Sequence, residues 1–238
     1  MDSRSALKHQ SILEAATSVF LTKGYAGTSM DDIAKLAAVS KQTVYKHFAD
    51  KDTLFAEIVL ATTDDVDGII GAAAEFHTVV NGGGGGEGSG AGDGSGVEAG
   101  AGAGAGGLEE GLARLARSFV RTLTQDRVLR LRRLIIANAD QFPELGADWY
   151  ERGFERVLAG LADTFRQLDA EGRLTVPDPK LAAHHFAGLL LWIPVNAAMF
   201  HGSAQHTDAD LDRYAEEGVR VFLAAYRGKG GDGAGDRG

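Results

Sequence analysis

The side chains best suited to chemistry in this sequence lie together, in a seven-residue stretch near the N-terminus. Residues 41–47 read KQTVYKH and supply cations, an amide, a hydroxyl, a phenol and an imidazole, but no carboxylate. Groups of these kinds donate hydrogen bonds to phosphate oxygens and to the edges of bases. The stretch therefore predicts a surface that binds nucleic acid, and the sequence contains no pattern typical of a catalytic site.

Two short helices joined by a tight turn are predicted to position this surface. Thr28 followed by Asp31 matches a capping box, which starts the first helix. Ser40 is predicted to cap the second helix, whose buried face would be Val44 and Phe48. The remaining faces of the second helix then point outward, as in a helix that enters the major groove of DNA.

Ten side chains are predicted to contact DNA. Lys41, Gln42 and Thr43 lie at the N-terminal end of the second helix, where base edges are reached. Hydroxyls, an imidazole and cations around them are suited to phosphates, and a solvated polar face is the alternative interpretation. The full predicted set is Thr28, Ser29, Ser40, Lys41, Gln42, Thr43, Tyr45, Lys46, His47 and Lys51.

Composition limits the classes of protein that fit. The chain of 238 residues has a net charge of −9, but residues 1–62 are balanced and the remainder carries the whole excess. An acidic body behind a neutral head orients docking on DNA rather than preventing it. The absence of cysteine, of a signal peptide and of a run of about 18 apolar residues predicts a cytoplasmic protein without disulfides or a membrane span. We expect no cofactor and no metal site.

Helical periodicity runs through most of the chain, so the predicted fold class is all-α. The first helix covers about residues 7–23, and a fourth, capped by Asp50, is expected to reach about residue 78. Further helices are predicted at 108–124, 126–139, 143–171, 179–201 and 208–226.

These elements suggest a division of the chain. Residues 82–107 hold 15 glycines, a composition that cannot bury enough apolar surface to offset the entropy of ordering. The predicted parts are a three-helix helix-turn-helix DNA-binding domain at 1–50, a connecting helix at 51–81, a disordered loop at 82–107, a helical ligand-binding and dimerisation domain at 108–227, and a disordered tail at 228–238.

The first 60 residues resemble the TetR family of bacterial transcriptional regulators. The matching features are a Gly-Tyr break after the first helix, an Ile-Ala pair, an Ala-Val-Ser turn and a Tyr-Lys-His-Phe segment followed by Lys-x-x-Leu. They lie here at Gly24–Tyr25, Ile33–Ala34, Ala38–Ser40, Tyr45–Phe48 and Lys51–Leu54. Ala38 departs from the family pattern, which has glycine there. The region from Arg132 to Phe200 is similar to the C-terminal domain of an AefR-like subgroup.

The resemblance implies a repressor that binds a palindromic DNA operator as a homodimer through its last two helices. It also implies release by an unidentified, largely apolar small molecule bound in the C-terminal domain. Candidate ligand-binding residues are Phe119, Asn138, Trp149, Phe154, His185, Trp192 and Asn196; each is also suited to a structural role. Candidate residues for the dimer surface are Leu181, Leu189, Ile193, Leu211, Val219 and Phe222.

Several alternatives stay open from the sequence. An arginine-rich segment at 114–133 is expected to be a solvated face paired with acids, with an anionic effector or a contact to the DNA-binding head as the sharper hypotheses. A DNA-bound adaptor that senses no small molecule, a helical enzyme carrying the same head, and an activator instead of a repressor are rival functions.

Overall fold

The computed structural model describes residues 3–61, 103–201 and 206–228. All regular elements in these ranges are helices, apart from one isolated bridge between Leu174 and Arg227. The all-α class predicted from the sequence is therefore confirmed. The helices are α1 (Ser3–Lys23), α2 (Met30–Leu36), α3 (Lys41–His47), α4 (Lys51–Ala61), α5 (Ala103–Leu123), α6 (Asp126–Ala137), α7 (Pro143–Trp149), α8 (Arg156–Ala170), α9 (Pro179–His201) and α10 (Asp208–Tyr226).

The chain divides into two compact units that differ from the predicted domains. One comprises Met1–Asp67 with Gln125–Arg156, and the other comprises Gly68–Thr124 with Val157–Gly238. Residues 125–156, predicted to belong to the C-terminal domain, thus group with the N-terminal helices. The physical reason is a shared core, because Leu131, Leu134 and Ile135 of α6 are buried in one cluster with side chains of α1–α4.

Aromatic rings form the centre of the first unit. Phe20 of α1 lies 5.3 Å from Phe55 of α4, measured between ring centroids, and Tyr25 lies 5.1 Å from the same ring. Phe142, which precedes α7, adds a ring 4.9 Å from Tyr25. These contacts fix α1 and α4 against the turn that leads into α2, and so define the base on which α2 and α3 rest.

The second unit has its own aromatic core. Phe165 of α8, Phe186 of α9 and Phe222 of α10 are fully buried, with ring centroids 4.9–5.5 Å apart. α9 and α10 approach closely at Gly218, where an added Cβ would lie 2.7 Å from Leu190 Cδ2. Thr207 and Asp210 form the predicted capping box at the start of α10.

Helix boundaries differ from the sequence-based prediction in three places. α1 begins at Ser3, four residues early, and α5 begins at Ala103, inside the segment 82–107 that we predicted to be a disordered loop. Alanine-containing sequence next to a stable helix continues that helix readily, because propagation costs less than nucleation. The single helix predicted at 143–171 is instead α7 and α8 separated by a π-helical segment, Tyr150–Glu155.

Some other predicted boundaries are confirmed. α9 covers residues 179–201, and Gly24 and Gly172 end their helices with left-handed backbone, at φ of 71° and 70°. The predicted extension of the fourth helix to residue 78, the loop at 82–102 and the tail from 229 onward lie outside the described residues.

α9 meets the length and composition criteria for a membrane-spanning helix, although the sequence has no uninterrupted run of about 18 apolar residues. Its most apolar 18-residue window has a mean hydropathy of 1.3, and 50% of that window is buried within the protein. Core helices of soluble proteins pass the same criteria. The composition of α9 alone is therefore weak evidence for a membrane span.

Candidate nucleic-acid interface

The turn between α2 and α3 has the hydrogen bonds of a Schellman motif. Val39 N donates to Ala34 O at 3.0 Å and Ala38 N to Lys35 O at 3.3 Å, while Ala38 adopts a φ of 53°. This is the position where the family pattern has glycine, and left-handed backbone is the reason that glycine is preferred there. The turn keeps its geometry here with an alanine, at the cost of some backbone strain.

Ser40 starts the proposed DNA-reading helix as predicted. Its side chain accepts a hydrogen bond from Thr43 N at 3.1 Å, and Val44 and Phe48 are buried beneath the helix. The opposite side is open, since Lys41, Gln42, Tyr45 and Lys46 are exposed and Thr43 and His47 are half-buried. The structure thus brings these six predicted contact residues to one helix, α3.

The side chain of Lys41 already has an acidic partner. Its ammonium group lies 2.8 Å from Asp31 Oδ1 of α2, and this hydrogen bond raises the pKa of Lys41. Both side chains are more than half exposed, and pairs of this type contribute little to stability. A phosphate or a base edge can therefore replace Asp31 at small cost.

The N-terminus of α2 differs from the prediction by one residue. Ser29 is the N-cap and accepts from Asp32 N at 3.2 Å, whereas Thr28 is buried and donates to Gly24 O at 2.7 Å. Thr28 thus bonds back to the carbonyl four residues before it, as Thr17 does to Leu13 O, instead of capping α2. Ser29 is exposed, and Thr28 stabilises the turn before α2.

Lys51 is likewise committed to the interior of the first unit. Its ammonium group donates to Tyr25 O at 3.0 Å and to Thr28 O at 3.2 Å, and lies 4.2 Å from the centre of the Tyr25 ring. The Tyr25 hydroxyl donates to Asp52, and burial together with this hydrogen bond raises the pKa of Tyr25. Thr28 and half-buried Lys51 thus hold the backbone that leads into α2, and the polar groups of both are hydrogen-bonded to that backbone.

A histidine pair that was not predicted lies at the end of α3. His9 of α1 stacks on Phe48 at 4.8 Å, lies 5.7 Å from His47, and contacts Glu57 Oε1 at 2.6 Å through Nε2. Burial, with the positive charge of His9, Lys46 and Lys8, lowers the pKa of His47. No local sequence signal relates His9 to His47, because the two are brought together only by the packing of α1.

The residues proposed for ligand binding are divided between the two units. Asn138, Trp149 and Phe154 belong to the first, where Asn138 donates to Leu134 O at 2.7 Å. In the second, Phe119 is fully buried core. His185, Trp192 and Asn196 lie on α9, where His185 contacts the Tyr226 hydroxyl at 2.6 Å and Asn196 donates to Trp192 O at 2.8 Å. The structure therefore places three of the seven residues in the first unit and four in the second.

A second exposed surface, which we call the α9/α10 face, lies in the second unit. It is a groove of about 610 Å³ lined chiefly by apolar side chains, including Leu189, Trp192, Ile193 and Val221. Trp192 is 72% exposed and Ile193 50% exposed. Of the residues predicted for the dimer surface, Leu181, Leu189 and Ile193 are exposed, whereas Leu211, Val219 and Phe222 are buried in the chain's own core. The helical periodicity of the sequence identified the apolar side chains, but it did not show which of them are buried within the protein's own core.

Two family models match the chain. Residues 12–58 match the TetR family of bacterial regulatory proteins, and residues 110–228 match the C-terminal domain of AefR-like transcriptional repressors. The first match covers α2, α3 and the turn between them, and the second covers half of the chain. Both agree with the resemblance found in the sequence.

Solved structures are similar along nearly the whole chain. A TetR-family transcriptional regulator from Mesorhizobium loti is 45% identical, with a TM-score of 0.77 over 95% of this chain and 100% of that one. The flavonoid-responsive regulator FrrA is 25% identical, with a TM-score of 0.62 over 94% of this chain and 99% of its own. The similarity extends through both compact units.

Curated relatives are similar over a short stretch of the chain. The HTH-type transcriptional regulator YhgD of Bacillus subtilis is 55% identical over 47 residues, which are 20% of this chain and 25% of YhgD. IcaR of Staphylococcus aureus, a negative regulator of the icaADBC biofilm operon, is 37% identical over 59 residues, or 25% of this chain and 32% of IcaR. The matched stretch thus spans at most a third of the length of these relatives.

Proposed function

Because the chain belongs to the TetR family of bacterial regulatory proteins, we propose that it is a transcriptional repressor that binds a near-palindromic operator as a homodimer and leaves it when a small molecule binds. The observation that carries the proposal is the outward side of α3, which offers only uncharged polar and basic groups. Gln42 and Thr43, with Lys41, are assigned to base edges. Tyr45 and His47, with Ser29 and Ser40, are assigned to phosphates, and Lys46 suits either contact.

A homodimer follows from the way DNA presents two half-sites. Two recognition helices must lie about 34–36 Å apart, or a multiple of that distance, to enter successive major grooves on one side of the duplex. The α9/α10 face supports dimerisation, because exposed apolar groups such as Trp192 and Ile193 gain from being covered by the same face of a second protomer. The two helices from each protomer would then pack as a four-helix bundle.

The proposed response to a ligand is a shift between two dimer states. An effector that binds more tightly to a state with wrongly spaced DNA-binding helices lowers operator affinity by its differential affinity for the two states. The relatives support this proposal by what their names state: IcaR is a negative regulator, and FrrA responds to flavonoids. An apolar effector suits the composition of helical ligand sites in general.

The experiment that tests the proposal is a selection of random DNA duplexes by the full-length protein, followed by sequencing and a salt titration of the best duplex. We expect a palindromic consensus, bound at least 1000-fold more tightly than random DNA. The stoichiometry should be two chains per site in sedimentation. Binding that depends steeply on salt and yields no consensus would contradict the proposal and favour the adaptor alternative.

A further inference from the structure

Arg132 differs from the arginines of the segment 114–133 that pair with acids. Four arginines of this segment form the expected ion pairs with acids: Arg114 with Glu110, Arg117 with Glu216, Arg121 with Asp212 and Arg130 with Asp126. Arg132 instead lies against two aromatic rings. Its guanidinium carbon is 5.8 Å from the centre of Trp149 and 5.9 Å from the centre of Phe154.

The surroundings of Arg132 are unusual for a cation. The side chain is half-buried, and burial lowers the pKa of its guanidinium group. Among residues 3–61, 103–201 and 206–228, no carboxylate forms an ion pair with it within 4.0 Å. Aromatic faces offset part of the cost of removing a cation from water, but a carboxylate offsets more.

We propose that Arg132 binds the carboxylate of an apolar organic acid, whose hydrocarbon part lies against Trp149 and Phe154. The planar guanidinium fork matches a carboxylate through two parallel hydrogen bonds, which a lysine at this position would not provide. The two rings supply the apolar walls typical of small-molecule sites. This inference rests on the proposed function, because it assigns a chemical class to the effector.

The backbone beside Arg132 supports a binding role independently. The π-helical segment Tyr150–Glu155 begins directly after Trp149 and places the rings of Tyr150 and Phe154 5.7 Å apart. Widened π-helical turns cost stability and occur frequently at functional sites. The Tyr150 ring is 45% exposed, so this side of the cluster is open to solvent.

The proposed site lies in the same compact unit as α3. Trp149 ends α7 and packs against the core formed by α1–α4 and α6. At the other end of α7, Phe142 lies 5.5 Å from Phe55 of α4 and 4.9 Å from Tyr25. A ligand that moves Trp149 therefore acts on α7. Phe142, directly before α7, contacts the aromatic rings on which the DNA-binding helices rest.

Calorimetric titration with matched acids and amides tests the proposal on the full-length protein. The probes are benzoate, 4-phenylbutyrate and decanoate, each compared with its neutral amide. We expect at least one acid to bind at least tenfold more tightly than its amide. Comparison of the aromatic acids with decanoate then shows whether the site prefers an aromatic or an alkyl acid. Quenching of tryptophan fluorescence by that acid should disappear in Trp149→Phe.

Two arginine variants locate the effect. Arg132→Gln should abolish the preference for the acid, and Arg132→Lys should reduce its affinity at least fivefold while keeping the positive charge. Arg152→Gln removes an exposed arginine of the adjacent segment, paired with Asp148 at 3.6 Å, and should leave acid binding unchanged. If Arg132→Gln fails to fold by circular dichroism, the comparison of Arg132→Lys with Arg152→Gln decides the question.

The results that overturn this inference differ from those that overturn the proposed function. Equal affinity for every acid and its amide, or an acid preference that survives Arg132→Gln, shows that Arg132 does not bind a carboxylate. Operator selection is a separate measurement on the unmodified chain. Acid binding without a selected operator would contradict the repressor and leave the site in place.

Discussion

The outward sides of α3 and α9 are both exposed helix surfaces, yet they differ in charge and in hydrogen-bonding groups, which select the partner. On α3, exposed side chains such as Gln42 and Lys46 carry hydrogen-bond donors and positive charge. On α9, Trp192 and Ile193 expose 72% and 50% of their surface without any charge. The first surface suits a polyanion with polar edges, and the second suits an apolar surface of its own kind.

The difference also shows which features follow from local sequence. The exposure of α3 is fixed by a cap, a left-handed turn and two buried residues, all within 11 positions of one another. The exposure of α9 depends on which of its sides α10 covers, and hence on contacts distant in sequence. A comparison of matched substitutions in the two units should therefore separate dimerisation from DNA contact.

The largest expected effect comes from a charge placed on the α9/α10 face. Ile193→Glu would bury two carboxylates, one from each protomer, in an apolar interface without partners. We expect dimer affinity to fall by at least about 100-fold, roughly 3 kcal/mol, with helical content unchanged. Sedimentation velocity over a range of concentrations measures the shift.

The control uses the same substitution in the other unit. Ile136 of α6 is 61% exposed, so Ile136→Glu changes an isoleucine of similar accessibility that belongs to the first unit and is no part of the α9/α10 face. We expect it to leave dimer affinity within about twofold of the original, as surface substitutions usually do. Equal weakening by both variants would show that exposed apolar area in general, rather than this face, drives association.

The sequence predicted the elements well where the signals were local. The caps at Ser40 and Thr207 and the glycine ends at Gly24 and Gly172 involve groups within a few residues, and all are confirmed. The N-cap of α2 was wrong by one residue, because both Thr28 and Ser29 are followed three positions later by an aspartate, Asp31 or Asp32. Sequence alone gives no reason to prefer the second pair.

Features that depend on tertiary packing were not predictable in this way. The grouping of α6 and α7 with the N-terminal helices depends on which side of α6 meets α1, and amphipathic spacing is the same whichever core it joins. The interior position of Lys51 arises because Tyr25 O and Thr28 O point at it from a turn 23 to 26 residues away. Ten polar or charged residues could be nominated for DNA contact, but only the fold shows that Thr28 and Lys51 donate to carbonyls of the chain's own backbone.

The next effect concerns base reading by α3. If Gln42 contacts a base pair, Gln42→Ala should weaken binding to the selected operator by about 10- to 100-fold and relax preference at one position of each half-site. Lys46→Ala, if that side chain contacts phosphate, should weaken all sequences alike and reduce the salt dependence by about one charge per protomer. Lys35→Ala, an exposed lysine of α2 outside the proposed contact set, serves as the control. Unchanged specificity in Gln42→Ala would remove it from the base-reading group.

A smaller effect is expected from relief of backbone strain in the turn. Ala38 has a φ of 53°, where a Cβ is unfavourable, so Ala38→Gly should raise the free energy of unfolding by about 0.5–1 kcal/mol after the greater entropy of the unfolded chain is included. Ala49→Gly, at an exposed position whose φ is negative, should be neutral or destabilising. Denaturant titration followed by circular dichroism gives both values. Destabilisation by Ala38→Gly comparable to that of Ala49→Gly would mean that the alanine is not strained there.

The smallest expected effect is a dependence of stability on pH at the end of α3. The pKa of His47 is lowered in the folded protein, first by burial and then by the positive charge of His9, Lys46 and Lys8. Folding therefore disfavours the protonated ring, so His47 adds no pH dependence well above the pKa of an unfolded histidine, about 6.5. As the pH falls through that value, the unfolded chain takes up a proton first and stability decreases, until His47 is protonated in the folded state as well. His47→Gln should reduce the loss of stability between pH 7.5 and 5.5, whereas His201→Gln, at an exposed position in the second unit, should not. Thermal unfolding at several pH values measures the slopes, and an identical slope in His47→Gln would assign the pH dependence to other groups.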